Sequence, residues 1–388
     1  MLSPVSALGI VRQEATTEPM APAPAWIEPG PGPGAQPSLQ ERARMLEDQA
    51  GALYGLGQYV EALQVQRRSV ESHRQLVAQD PSQRLKLAAS LHNLGVVLIR
   101  LGRKEEAIPP TAEALALYRS DPSSQAGGTA AALERPLRNL VLLYFESNRP
   151  EEALPLADLL VRLHPTAPGN DPLLGAQRMD VLNLRASLLV ALERPKEARQ
   201  DLETAVALGR QLAGEVPENL TLRHGLAGSL LNLSQVADLL GQWDQATAPA
   251  QEAEAILGVL ARLHPELKGD WAKALSRLGH AHAKTGDALQ ARRRLEESIL
   301  LMRSLNPAVP SGSLAVEIGG YQDDLAHALN TLAMVNHQLQ RPREARAAGV
   351  EAMELYALLA REDPRYKPEV ERLRSWLSTW PEATPATR

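Results

Sequence analysis

Apolar and polar positions along this chain fall into a recurring order. From Ser38 onward the pattern is helical, and each unit carries two helical stripes separated by a tight break. The phrase spanning that break is written seven times. It reads LGQYVEA ending at Ala62, LGRKEEA at Ala107, SNRPEEA at Ala153, LERPKEA at Ala198, LGQWDQA at Ala246, TGDALQA at Ala291 and LQRPREA at Ala345. Successive closing alanines are 45, 46, 45, 48, 45 and 54 residues apart. A period of this size signals a solenoid of stacked helix pairs. Gly closes a first helix and Pro opens a second one, as in Arg194-Pro195 and Arg341-Pro342. A further break, often with Pro, follows each second helix, as at Asp80-Pro81, Val216-Pro217, His264-Pro265 and Asp363-Pro364.

Three slots stay small across most units. The closing Ala is one. Twelve residues earlier stand Ala50, Gly95, Val141, Ala186, Ser234, Gly279 and Ala333. Seven residues later stand Ser69, Ala114, Leu160, Ala205, Ala253, Ser298 and Ala352. Two antiparallel helices whose axes lie about 8–10 Å apart leave little room for a side chain where they cross, so small residues there read as packing. A Leu at Ala107 should cost about 1–3 kcal/mol by overpacking.

These slots, the Leu just before the first of them (Leu94, Leu140, Leu233, Leu278, Leu332) and the loop prolines resemble the tetratricopeptide repeat family. The spacing exceeds that family's usual 34 residues and is similar to the longer-helix arrays of kinesin light chains and bacterial regulators. Two units depart from the pattern: Arg185 stands in the Leu slot of the fourth, where the register slips by one if the motif is kept, and Gln49 in that of the first. The resemblance implies an all-α fold, a right-handed α-solenoid of about seven antiparallel helix pairs. A last helix near Pro368–Leu377, with Val370, Leu373 and Trp376 on one stripe, is expected to cap it. The organisation expected is a flexible Pro/Ala/Gly-rich segment over 1–37, the array over 38–364, the capping helix over 365–379 and a tail over 380–388.

Composition narrows the chemistry. Apolar residues make up 44% but aromatics only 3%, so the core rests on Ala, Leu and Val. With no Cys there are no disulfides, thiolate metal sites or Cys nucleophiles, which fits a reducing, cytoplasmic setting. No apolar run reaches about 18 residues, so no membrane span is expected. The start, MLSPVSALGIV, lacks the basic n-region of a signal peptide. The net charge of −5 gives no field to hold nucleic acid. No catalytic triad, nucleotide loop or paired catalytic carboxylate stands out, so an enzyme is not expected. Nor is a cofactor or a metal, since His280 and His282 are two apart on a helix and have no evident carboxylate partner.

The resemblance also implies a concave groove lined by first helices. Mapped residue by residue, that face carries seven Lys or Arg (Arg44, Arg100, Arg135, Arg138, Lys273, Arg277 and Lys284) against five acids (Glu47, Asp48, Glu146, Asp180 and Asp238) in an acidic chain. Asn93, Asn139 and Asn232 share one slot, where an amide either braces the neighbouring helix or bonds a ligand backbone. Asn183 and Asn330 miss that slot by one. Arg135, Arg138, Lys273, Arg277 and Lys284 form either an anion-reading wall or a set of salt-bridged surface cations, with Glu146 and Asp180 in reach. Arg100 and Phe145 fall on the same face. His164 and His264 read as loop or C-cap residues and Trp243 as a packing residue, while Trp26 is unexplained. The function expected is a non-enzymatic scaffold holding a peptide or protein segment, acidic by charge, in the groove. The alternative is a sensor or regulatory module of a bacterial signalling system acting with a separate effector chain.

Overall fold

The computed structural model describes residues 37–121, 130–164, 172–305 and 321–379. Trp26 and the tail after Thr379 lie outside them. Among the described residues there are fifteen α-helices and no strand. Two compact units divide the chain at Pro165–Thr166. The first holds α1 (Leu39–Gly55), α2 (Tyr59–Gln79), α3 (Arg84–Arg100), α4 (Lys104–Ser120), α5 (Ala130–Glu146) and α6 (Pro150–Leu163). The second holds α7 (Pro172–Ala191), α8 (Pro195–Glu215), α9 (Leu220–Leu239), α10 (Trp243–Leu263), α11 (Lys268–Lys284), α12 (Ala288–Leu305), α13 (Gln322–Gln338), α14 (Pro342–Glu362) and α15 (Lys367–Ser378). In each unit a helix packs on its partner across the tight turn, and the second helix of a pair packs on the first helix of the next.

All seven tight turns have the same backbone. One residue, five before the closing Ala, is left-handed: Gly57, Gly102, Gly241 and Gly286 at φ of 69° to 88°, and Asn148, Glu193 and Gln340 at 55° to 57°. The next N–H reaches back over the turn, as in Arg103 N to Leu98 O at 2.9 Å and Arg194 N to Leu189 O at 2.7 Å. This closure satisfies carbonyls that the helix end would orphan. Glycine tolerates the left-handed conformation at no Cβ cost; in the three turns that lack it, Pro two residues later fixes the start of the next helix. The same region explains the charged part of the phrase. Arg103, Arg149 and Arg194 each bond a Glu three residues on, at 2.6–2.9 Å, in the first turn of the second helix. Those glutamates also face the positive helix end.

The small slots are where the helices meet. All seven closing alanines are at most 2% exposed, and the residues twelve before and seven after are equally buried. A Cβ added at Gly95 would stand 2.2 Å from Thr111 Oγ1, and one at Gly279 would stand 2.7 Å from Leu295 Cγ and 3.2 Å from the Ala291 carbonyl. Ala186 is 1% exposed, so the fourth register does not slip. Arg185 fills the Leu slot by bonding Asp201 on the partner helix through two nitrogens, at 2.5 and 2.7 Å. Asp80 and Asp363 accept from the backbone two residues on and so seed the 3₁₀ turns Pro81–Gln83 and Pro364–Tyr366. In α15, Val370, Leu373 and Leu377 are buried, and Trp376 lies against Gly349 of α14, so within its unit this helix covers the end of the stack.

Candidate functional site

In each unit the first helices present a face on which polar side chains link one repeat to the next. In the second unit that face is built on α7, α9, α11 and α13. Asn183 donates to Ser229 Oγ at 2.7 Å and accepts from Asn232 at 3.1 Å. His224 pairs with Asp270 at 2.9 Å. His280 Nε2 meets Asp238 at 3.2 Å, its Nδ1 lies 3.5 Å from Thr331 Oγ1, and its ring centroid is 5.4 Å from that of His327. Lys273 reaches Asp324 at 3.5 Å and sits over the Tyr321 ring. The tyrosine passes so close to α11 that a Cβ at Gly269 would overlap its hydroxyl.

In the first unit the links are sparser. Arg100 donates to Tyr54 Oη at 3.0 Å, and Tyr54 meets Tyr59 edge-on at 5.3 Å. Arg138 bonds Glu134 at 3.2 Å on its own helix, and Glu134 also receives His164 at 3.3 Å. The hydrogen bond from His164, outweighing burial, holds the Glu134 carboxyl below its usual range. Buried His73 of α2 reaches Glu47 at 3.5 Å.

These contacts decide several expectations. Asn232 is nearly buried and its amide donates to Asn183 one repeat earlier, a contact of the bracing kind. Asn93 is also buried, at 4% exposure, while Asn139 is half-buried. Arg135 is exposed and presses on His92, whose imidazole burial and that guanidinium push down to about 4. Arg277 is mostly buried: desolvation lowers its pKa while Asp238 and Asp324 oppose the shift. Lys284 stays exposed with its ammonium 5.9 Å from the Trp243 ring.

Four readings are corrected. The face is not simply basic, because Glu134, Asp270 and Asp324 sit on it and pair with its cations and imidazoles. His280 does have a carboxylate partner, Asp238, one repeat away. Phe145 turns into the core at 7% exposure. Trp243 is 46% exposed and carries a cation, so packing does not account for it. His164 and His264 do cap their helices. Glu146 pairs with Lys104 at 2.9 Å. No group of three or more His, Asp or Glu suited to a metal ion exists among the described residues, and none of their helices is long and apolar enough to cross a membrane.

Comparison with known proteins agrees with this architecture. Residues 41–120 match the family model of the tetratricopeptide repeat. No curated protein matches the chain. Among solved structures, the apo form of RapI superposes with a TM-score of 0.54 at 11% identity, over 82% of this chain and 99% of that one. The apo form of the quorum sensor NprR from B. thuringiensis gives 0.53 at 15% identity, over 82% of this chain and 77% of that one. A tetratricopeptide repeat protein from Parabacteroides merdae ATCC 43184 gives 0.48 at 16% identity, over 87% and 98%.

Proposed function

We propose that this chain of tetratricopeptide repeats is a non-catalytic, cytoplasmic scaffold that holds a peptide or protein segment on its first-helix face. The observation that carries the reading is the ladder across α7, α9, α11 and α13. Asn183, Asn232, His224, Asp270, Asp238, His280 and Thr331 are fixed by bonds that cross from one repeat to the next. A surface fixed before a ligand arrives has little ordering left to lose, so many shallow contacts can sum to useful affinity. A segment lying along several repeats reaches the roughly 1,200–2,000 Å² of a stable interface. Exposed Met334 and Lys284 offer apolar and cationic contacts beside the ladder.

The test is selection of binding peptides from a random displayed library on the full chain. Enriched peptides should lose most of their binding to Lys284→Glu and Met334→Lys and keep it to Leu300→Lys, whose side chain is 71% exposed on the second helix α12. Equal binding to all three variants refutes the placement. A second reading, a sensor module working on a separate effector chain, shares this face. The fold likeness to the quorum sensor NprR prompts it. It is favoured if an enriched peptide changes the chain's binding to a second protein.

A further inference from the structure

Several buried side-chain atoms on α9 and α13 have no hydrogen-bond partner among the described residues, Gln235 Nε2, Gln322 Nε2 and His327 Nε2 among them, and His327 is the one whose ring faces another imidazole. The Nε2 atom of His327 is buried and has no hydrogen-bond partner in the protein. Leaving such an atom unpaired costs about 1–3 kcal/mol, so its persistence calls for an explanation. Its surroundings supply one. The charges acting on it are Asp238 from α9 and Arg277 and Lys284 from α11, with His280 of α11 alongside. Asp324 of α13 is engaged by Lys273 and also acts on Arg277. Trp243, opening α10, lies under Lys284. Around the two imidazoles that face each other stand the cations Arg277, Lys284 and Lys273 and the carboxylates Asp238 and Asp324. Both rings are held neutral: burial pushes His327 down to about 3, and burial also lowers His280 against the pull of Asp238.

We propose that the stretch around Arg277, His280 and His327 is an anion subsite, taking a carboxylate of an acidic peptide segment together with a proton from solvent. The proposal rests on the reading that the first-helix face binds peptide, and it names the chemistry recognised there. A carboxylate arriving beside His327 supplies the missing partner. It also removes the penalty on the imidazolium, which then donates through Nε2. The His327 imidazole takes one proton from hydronium or the buffer acid: an N–H bond forms on the ring, the donor's bond to that proton breaks, and no other bond changes. Asp238 keeps His280 oriented, with Nε2–H donating to the carboxylate, so His327 is the ring free to turn to the ligand.

The experiment uses the full chain and a capped hexa-aspartate peptide, whose carboxylates stay ionised at pH 5. Calorimetric titration at low salt, in two buffers of different ionisation enthalpy, reads affinity and protons taken up. An anion at contact distance raises a pKa by about 1–3 units. A rise of two to three units from about 3 makes binding roughly two- to tenfold tighter at pH 5 than at pH 7.5. His327→Asn should keep binding and lose both the pH dependence and the proton uptake. Lys284→Gln, exposed and safe for folding, should weaken binding at both pH values. Succinate, a free dicarboxylate, should bind at least tenfold more weakly than the peptide. Succinate binding as tightly as the peptide overturns the peptide assignment. Proton uptake that survives in His327→Asn overturns the proton coupling. No binding of hexa-aspartate overturns the subsite, while peptides selected on the same face would still uphold the broader reading.

Discussion

The turns make the sharpest prediction because their energetics separate from packing. Glu193 is exposed, sits at φ 57° and makes no side-chain bond that the fold needs. A left-handed conformation costs an L-residue about 1–2 kcal/mol, and glycine escapes that cost. Glycine gives back about 0.4–1 kcal/mol because its unfolded chain is freer. Glu193→Gly should therefore stabilise by about 0.5–1 kcal/mol. The mirror change is equally clean. A Cβ at Gly241, φ 69°, meets nothing within 4 Å, so Gly241→Ala tests the backbone alone and should destabilise by a similar amount. Adding Gln340→Gly to Glu193→Gly should give nearly the sum, since the turns are two or more repeats apart in sequence and share no partner. Urea unfolding followed by circular dichroism reads this as a shift in midpoint at constant slope. A destabilised Glu193→Gly, or a neutral Gly241→Ala, refutes the account of why Gly recurs in the phrase.

Three further outcomes follow from packing and charge. Gly279→Ala should destabilise by about 1–3 kcal/mol, because its Cβ meets Leu295 and the Ala291 carbonyl, whereas a neutral thermal melt contradicts the crossing-point reading. Arg185→Leu restores the family's residue yet should destabilise by roughly 3–5 kcal/mol, since it strands the 7%-exposed Asp201 carboxylate; adding Asp201→Ala should recover most of the loss in the same urea titration. Asp323 is pushed up to about 7 by burial and by Asp324 beside it, from an ordinary value of 3.8. The folded chain holds that proton where the unfolded chain has lost it, so its contribution to stability falls as pH rises from about 4 to about 7. Asp323→Asn should match the parent at pH 4 and exceed it at pH 8 by up to a few kcal/mol in thermal melts, and a pH-independent difference refutes the assignment.

The helix pairs were legible because three constraints act locally. The left-handed turn residue, the Arg and Glu that follow it, and the small slots all fall within about twenty residues of one another, so one repeat displays its own rules. Arg185 shows the limit. Its charge argued for a slipped register, yet the frame held, because Asp201, sixteen residues on and across the turn, turns a misplaced cation into a packed pair. Glu193 and Gln340 show it again, since nothing in their chemistry announces a left-handed backbone; only alignment with Gly57 and Gly102 does.

The site was less legible because its contacts join neighbouring repeats. Counting charges helix by helix made the face look basic, and it missed Asp270, Asp324 and Glu134, which lie at or near the starts of their helices. Their effect lies in whom they touch. Tyr54 and Arg100, Asn183 and Ser229, and His224 and Asp270 are each 46 residues apart, close to one period. The repeat length is thus also the rung spacing of the ladder. Residues one period apart on first helices are neighbours, so complementary pairs at that separation can be sought directly in the sequence. His280 and Asp238, 42 apart, then read as a pair, which the helix containing His280 could not reveal by itself. The same rule assigns His327 to the neighbourhood of His280, 47 residues earlier, and so places the unsatisfied ring beside Arg277. Charge on such a face belongs to pairs of repeats, so what a ligand meets there is set by which partners each repeat brings to its neighbour, as Asp238 does to His280.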